Sequence, residues 1–356
     1  MLKVKIGHIG PLTGLNGHLG QDNERGARLA VEELNRRCLR IGGRTMQLEL
    51  LALDDAGDPA LAVQVARRLV LEGVDGVVGH LNSATSISAA PVYAQAGIAQ
   101  ISPSATNPRF TRLGYSTTFR LLPDDFRVGV LLGQHAGKAL GARRVVLIDD
   151  QTLYGKGVAA AFASGAQNSG ARILRQHAVD KVPGDYTALV QALRQDAPDL
   201  VFFGGVDTVA GPLIREIGRA GLSFQIMGSD GMCTANMAYL AGADAVEGRV
   251  LCGEPGGVQP DHLPGIQDLA ARMRARFDTP PQLYAPYTYD AVRILAEAMV
   301  HAGSNRPSAY LPALSHLHFE GVTGTIQFDE SGNSRAARIT LFKYRDGRRV
   351  PIAVLQ

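Results

Sequence analysis

At 356 residues the chain exceeds what one hydrophobic core ordinarily organises, so two domains are expected. Apolar residues make up 46% and charged residues 19%, which fits a packed globular protein and excludes a disordered one. The formal net charge is +3, acidic and basic residues are interspersed and no basic stripe occurs, so nucleic acid is not an expected partner.

No apolar run reaches the length of a membrane span. The first residues show no charged-then-apolar leader with a small-residue cleavage site. Instead Val4, Ile6 and Ile9 read as a first core strand. Both a cytosolic chain and the mature form of an exported one fit that start. A helix is expected over Asp22–Arg37, where Ala27, Ala30, Val31 and Leu34 fall on one face. A strand follows at residues 46–55. Asp58 and Pro59 then open a second helix as cap and first residue, with Ala62, Val65, Ala66 and Leu69 inward. Strand, helix and strand follow at 75–80, 83–97 and 98–102. This succession predicts a parallel sheet covered by helices on both faces.

The pattern restarts after Pro123-Asp124-Asp125. Strands are expected at 143–150, 199–205 and 225–231. Helices are expected at 155–170, 185–195 (with Leu189, Ala192 and Leu193 inward) and 211–221. Gly253–Pro264, rich in Gly and Pro, predicts an irregular crossing. A long helix is expected at Ala285–Ala302, and strands with a Glu330–Asn333 turn at the end. The fold class is therefore α/β, with two Rossmann-like lobes.

Three cysteines, Cys38, Cys233 and Cys252, exclude a fully paired framework, and no Cys-x-x-Cys occurs. Free thiols are the expectation. A Cys233–Cys252 bridge stays open, because spacing does not decide it.

Nucleotide-loop, zinc-protease and serine-hydrolase signatures are absent, so an enzyme is not expected. His316 and His318 lack a third ligand nearby, and no metal or cofactor is expected. Asp54, Asp55 and Asp58 read as a strand-end turn that caps the next helix. The informative residues follow strands, where open α/β sheets bind ligands. Ser83 is expected to cap its helix, and its hydroxyl with the free N–H groups there suits an anion. Thr106 offers a second hydroxyl, and the backbone around Ser104 offers N–H and C=O groups. In the second half, Asp230 could hold an ammonium group or bond its own turn. Tyr154 could reach across a cleft.

These residues, taken with segments in order along nearly the whole chain, carry a resemblance. IGHIGPLTG, NERGARLAVEELN, LDDAGDPALAVQVARRLV, VVGHLNSATSISAAPVYAQAGI, ISPSATNPRFTRLGY, IDDQTLYGKGVA, DYTALVQALR, FFGGVDTVAGPLIREIGRAGL, MGSDG and VTGTIQFDESGN resemble the leucine/isoleucine/valine-type periplasmic binding proteins, substrate-binding subunits of branched-chain amino acid ABC importers. The resemblance implies two lobes joined by three crossings, near Leu121–Asp125, Leu251–Pro255 and Gln327–Asn333. The lobes are then 1–121 with 254–328, and 122–253 with 329–356. It assigns the ligand carboxylate to Ser83, Ser104, Thr106 and Tyr154, and the ammonium to Asp230 with Ser104. Leu19, Leu81, Asn82, Val206 and Asp207 fall at the side-chain pocket. Leu19 and Val206 stand where the best-known members carry aromatics, and Gly57 and Asn82 replace their first-lobe disulfide. The implied protein is a periplasmic monomer that hands a free aliphatic amino acid to membrane ABC permease subunits. A cytosolic amide or amino-acid sensor of the same fold is the alternative.

Overall fold

The computed structural model describes residues 1–256, 263–335 and 338–356. The chain divides into two compact units, Met1–Pro123 with Val258–Ala336 and Asp124–Gly257 with Ala337–Gln356.

The first unit opens with β1 (Leu2–Gly10), α1 (Gly17–Arg36), β2 (Arg40–Ile41), β3 (Arg44–Asp54), α2 (Pro59–Leu71), β4 (Gly76–Gly79), α3 (Ser83–Gln95), β5 (Gln100–Ser102) and β6 (Thr118–Arg120). Their sheet runs β2-β3-β1-β4-β5-β6, parallel except for the short β2. The order reverses between β1 and β4, and the carboxyl ends of strands at such a switch point are where open α/β sheets bind ligands. Apolar patterning accounts for the layering. Ala62, Val65, Ala66 and Leu69 of α2 are buried as expected, and the Asp58 carboxylate accepts the Ala60 and Leu61 N–H groups at 2.7 and 3.0 Å.

The second unit repeats the design with α4 (Asp125–Lys138), β7 (Arg144–Asp149), α5 (Leu153–Gln167), β8 (Arg172–Ala178), α6 (Thr187–Asp196), β9 (Leu200–Gly204), α7 (Asp207–Arg219), β10 (Gln225–Gly228), the short α8 (Met237–Ala241) and α9 (Ala243–Val246), and β11 (Val250–Pro255). The chain then returns to the first unit for α10 (Leu263–Phe277), α11 (Ala285–His301), α12 (Pro307–Ser315) and the hairpin β12 (Phe319–Gly321) and β13 (Gly324–Ile326). It ends in the second unit with β14 (Ile339–Arg345) and β15 (Arg348–Leu355). The second sheet runs β15-β14-β11-β10-β9-β7-β8, with an antiparallel β14–β15 edge on a parallel centre. Tight packing in this unit depends on α4 and α5: a Cβ at Gly133 would stand 2.3 Å from the Phe162 carbonyl oxygen, so only glycine fits there.

Several expectations need correction. The first helix begins at Gly17, not near Asp22. The Asp22 carboxylate is buried inside the unit and accepts the N–H groups of Gln282, Leu283, Tyr284 and Ala285 at 2.7–3.0 Å, so it caps the start of α11 across the fold. Of the crossing expected at Gly253–Pro264, the residues through Pro255 are strand, because β11 pairs with β14 that far, and α10 starts at Leu263. Residues 257–262 of it lie outside the described residues. The first division, between Pro123 and Asp124, falls within the expected crossing at Leu121–Asp125, and the other two fall later than expected. Gly332 and Asn333, expected at a crossing, belong to the first unit, where the Arg120 N–H donates to the Gly332 carbonyl at 2.9 Å. In α6 the buried residues are Val190 and Leu193, with Leu189 and Ala192 half-buried. The free-thiol expectation fails for two of three cysteines: Cys233 and Cys252 form a disulfide, and Cys38 is free and exposed. The two sulfurs come from the end of a turn and a neighbouring strand, a juxtaposition that only the folded sheet creates.

Candidate functional site

In the first unit the expected carboxylate residues gather at the ends of β4 and β5. Asn82, in an extended conformation, occupies the cap position of α3 and makes no side-chain cap bond. Ser83 is therefore the first helical residue and not the cap. Its Oγ turns to the neighbouring loop and accepts the Asn107 N–H at 3.3 Å. The first turn of α3 thus presents amides that no side chain caps, a setting suited to an anion. Thr106 is 1% exposed, and its Oγ1 has no hydrogen-bond partner among the described residues. A buried hydroxyl left unpartnered is costly unless something else completes it. The Ser104 hydroxyl is engaged: it donates to the Leu81 carbonyl at 2.9 Å. What Ser104 can offer a ligand is its backbone.

Beneath these loops lies a buried network that sequence patterns did not reveal. His80 Nδ1 lies 2.6 Å from Asp55 Oδ2, and its Nε2 lies 3.1 Å from the Tyr93 hydroxyl. The His80 carbonyl accepts the Ser86 and Ser102 hydroxyls, both at 3.0 Å. Asp55 is thus no helix cap. It anchors the strand end from which Leu81, Asn82 and Ser83 continue. The only sequence signal for this was a histidine closing an otherwise apolar strand. Arg120, also fully buried, donates to the Asn107 carbonyl at 2.8 Å and to the Asn333 side chain, which fixes the second loop.

In the second unit Asp230 follows β10 and opens one tight helical turn, Asp230–Met232. It is 1% exposed, and its Oδ1 accepts the Tyr154 hydroxyl at 2.8 Å and the Ser229 hydroxyl at 2.7 Å. Tyr154 stands in the first turn of α5, whose cap Thr152 accepts the Gly155 N–H. The Tyr154 oxygen also accepts the Gly231 N–H at 3.0 Å. Burial, and then the Asp230 charge, raise the Tyr154 pKa well above its ordinary value, so the hydroxyl keeps its proton and remains a donor. The resemblance pointed Tyr154 at the ligand carboxylate; the structure places its hydroxyl on Asp230.

Of the expected pocket residues, Leu19 in α1 and Leu81 are buried. The side-chain oxygen of Asn82 is buried without a partner among the described residues. Val206 is half-buried at the cap position of α7. Asp207 is fully buried and accepts the Thr234 hydroxyl at 2.5 Å. His316 and His318 lie on exposed segments, and no cluster of three metal-ligating side chains exists among the described residues. None of the described helices is long and apolar enough to cross a membrane.

Comparison with known proteins identifies the family. A family model described as periplasmic binding protein matches residues 3–348. The chain is 33% identical over 347 residues to the Leu/Ile/Val-binding protein homolog 1 of Brucella suis biovar 1, covering 97% of this chain and 91% of that relative. It is 30% identical over 351 residues to the leucine-, isoleucine-, valine-, threonine-, and alanine-binding protein of Pseudomonas aeruginosa, covering 98% and 92%. The branched-chain amino acid transporter substrate binding protein LivJ of Streptococcus pneumoniae, solved in complex with isoleucine, superposes with a TM-score of 0.91 at 25% identity, covering 100% of this chain and 99% of that one. With a family model spanning nearly its full length, the chain belongs to the periplasmic binding proteins, a family of receptors and not of enzymes.

Proposed function

We propose that the chain is the solute receptor of an ABC importer and captures a free aliphatic amino acid. The observation that carries the reading is Asp230, a buried carboxylate at the end of β10 that accepts the Tyr154 and Ser229 hydroxyls. A carboxylate so placed is a countercharge for an α-ammonium group. On the other unit, the uncapped start of α3 and the unpartnered Thr106 hydroxyl suit the α-carboxylate without a full positive charge. Leu19, Leu81 and Val206 argue for an uncharged aliphatic side chain, and Asn82 and Asp207 are assigned to the same pocket. A ligand bound by groups from both units favours a closed state. The amino acid names of the relatives support the same class of ligand.

The receptor works as a monomer in the periplasm and delivers its ligand to membrane permease subunits. The Cys233–Cys252 disulfide supports an oxidising compartment and weighs against a cytosolic sensor. Titration calorimetry with leucine, isoleucine, valine, threonine, alanine and leucinamide tests the reading. At least one free amino acid should bind, and Asp230→Asn should weaken it roughly a hundredfold or more, since breaking a buried pair costs about 3–5 kcal/mol. Equal binding by the variant, or binding of leucinamide and of none of the free amino acids, refutes it.

A further inference from the structure

We infer that the Cys233–Cys252 disulfide is a positioning element for Asp230, holding the carboxylate where a ligand ammonium meets it. The inference rests on the proposed role of Asp230. One residue, Cys252, holds both ends of the segment that carries Asp230. In the sheet, Gly228 at the end of β10 is the register partner of Cys252 in β11. After the turn, Cys233 is bonded to the same Cys252 through sulfur, with Cα atoms 5.2 Å apart. The chain therefore leaves the sheet at Gly228, presents Ser229 and Asp230, and comes back to the strand residue it left. Both cysteines are fully buried in the apolar core of the unit, beside Met232 and Met237.

Non-covalent contacts hold the same segment more loosely. The Cys233 N–H donates to the Asp230 carbonyl at 2.7 Å. The Tyr344 hydroxyl lies 3.2 Å from the Met232 carbonyl and 2.8 Å from that of Thr234. Arg349 donates to the Cys233 carbonyl. These contacts can keep the unit folded without the disulfide. They do not close the segment covalently, so more conformations of Asp230 become available. A ligand that needs one of them then binds more weakly, in proportion to the fraction populated.

The test compares Cys233→Ala/Cys252→Ala with wild type, using leucine and 4-methylpentanoate, which is leucine without its ammonium group. Calorimetric titration should show leucine binding weakened about tenfold in the variant and 4-methylpentanoate binding unchanged, so that discrimination for the ammonium shrinks. A bridge that only stabilises the fold lowers the melting temperature and leaves leucine affinity as it was; that result overturns the inference. Equal weakening of both ligands also overturns it, because the whole site is then disturbed. If wild type binds no amino acid, the receptor reading fails first and this inference falls with it. Should the alanine variant fail to fold, the same titrations on wild type reduced by dithiothreitol decide the matter. That exchange leaves two thiols on the chain and a cyclic disulfide on the reagent.

Discussion

Tyr154 and Asp230, from the first turn of α5 and the end of β10, are joined by a hydrogen bond of 2.8 Å. The tyrosine oxygen accepts the Gly231 N–H at the same time, so one hydroxyl fixes the carboxylate and the turn beside it. Tyr154→Phe removes both bonds and keeps the ring. Its cost should be about 1–3 kcal/mol of stability, read by denaturant melts. Ligand affinity should fall less than in Asp230→Asn, because Tyr154 acts through Asp230. A larger loss in the phenylalanine variant, measured by calorimetry, would return Tyr154 to direct contact with the ligand.

The disulfide closes a loop with a sequence separation of 19. Chain-entropy arguments give a bridge of that span about 3 kcal/mol. Thermal melts with and without reductant should therefore separate, the reduced protein melting lower. Coincident melts would mean that the bridge adds nothing to the folded state.

His8 gives a pH dependence. It lies fully buried in β1, with Nδ1 3.1 Å from the Val78 carbonyl and Nε2 without a partner among the described residues. Burial is the dominant cause that lowers its pKa to about 4. In the unfolded chain the value is about 6.5. The unfolded state therefore binds more protons between those values, and stability must fall as pH drops from 6.5 towards 4. The loss is up to about 3 kcal/mol across that window, with none above it. His8→Gln should flatten this part of the pH–stability curve in denaturant titrations. A variant curve parallel to wild type would assign the slope to other groups.

The three neighbouring aspartates should separate in mutagenesis. Asp58→Ala removes a helix cap and should cost about 0.5–2 kcal/mol. Asp55→Ala strands the fully buried His80 and should cost about 3–5 kcal/mol. It should also weaken ligand binding, since the His80 segment leads into Ser83. Equal destabilisation by the two substitutions, measured in the same denaturant, would count against the Asp55–His80 pair as the anchor of that loop.

The fold was legible because its signals are local and periodic. The inner face of α2, the Asp58 cap and the strand runs at β4, β7 and β9 depend on side chains a few positions apart. The candidate ligand groups were legible for a related reason: small polar residues directly after apolar strands mark the carboxyl edge of a sheet, and the resemblance sorted them into roles. Pairings across the fold were not legible. Nothing near Asp22 signals that it caps α11, and nothing near Asp55 signals His80. Spacing left Cys233 and Cys252 undecided, because whether two sulfurs meet depends on strand order and register.

By itself, then, the sequence determined the alternation of strands and helices, the repeat of one α/β design, and the kinds of group at each strand end. Tertiary structure alone decided which of those groups are already bonded within the fold. It turned the Ser104 hydroxyl onto Leu81, set Tyr154 on Asp230, and left the Thr106 hydroxyl without a partner among the described residues. The physical reason is that hydrogen bonds saturate. A donor's availability depends on which acceptor the fold brings within about 3 Å, and that distance is fixed by packing between segments far apart in the chain.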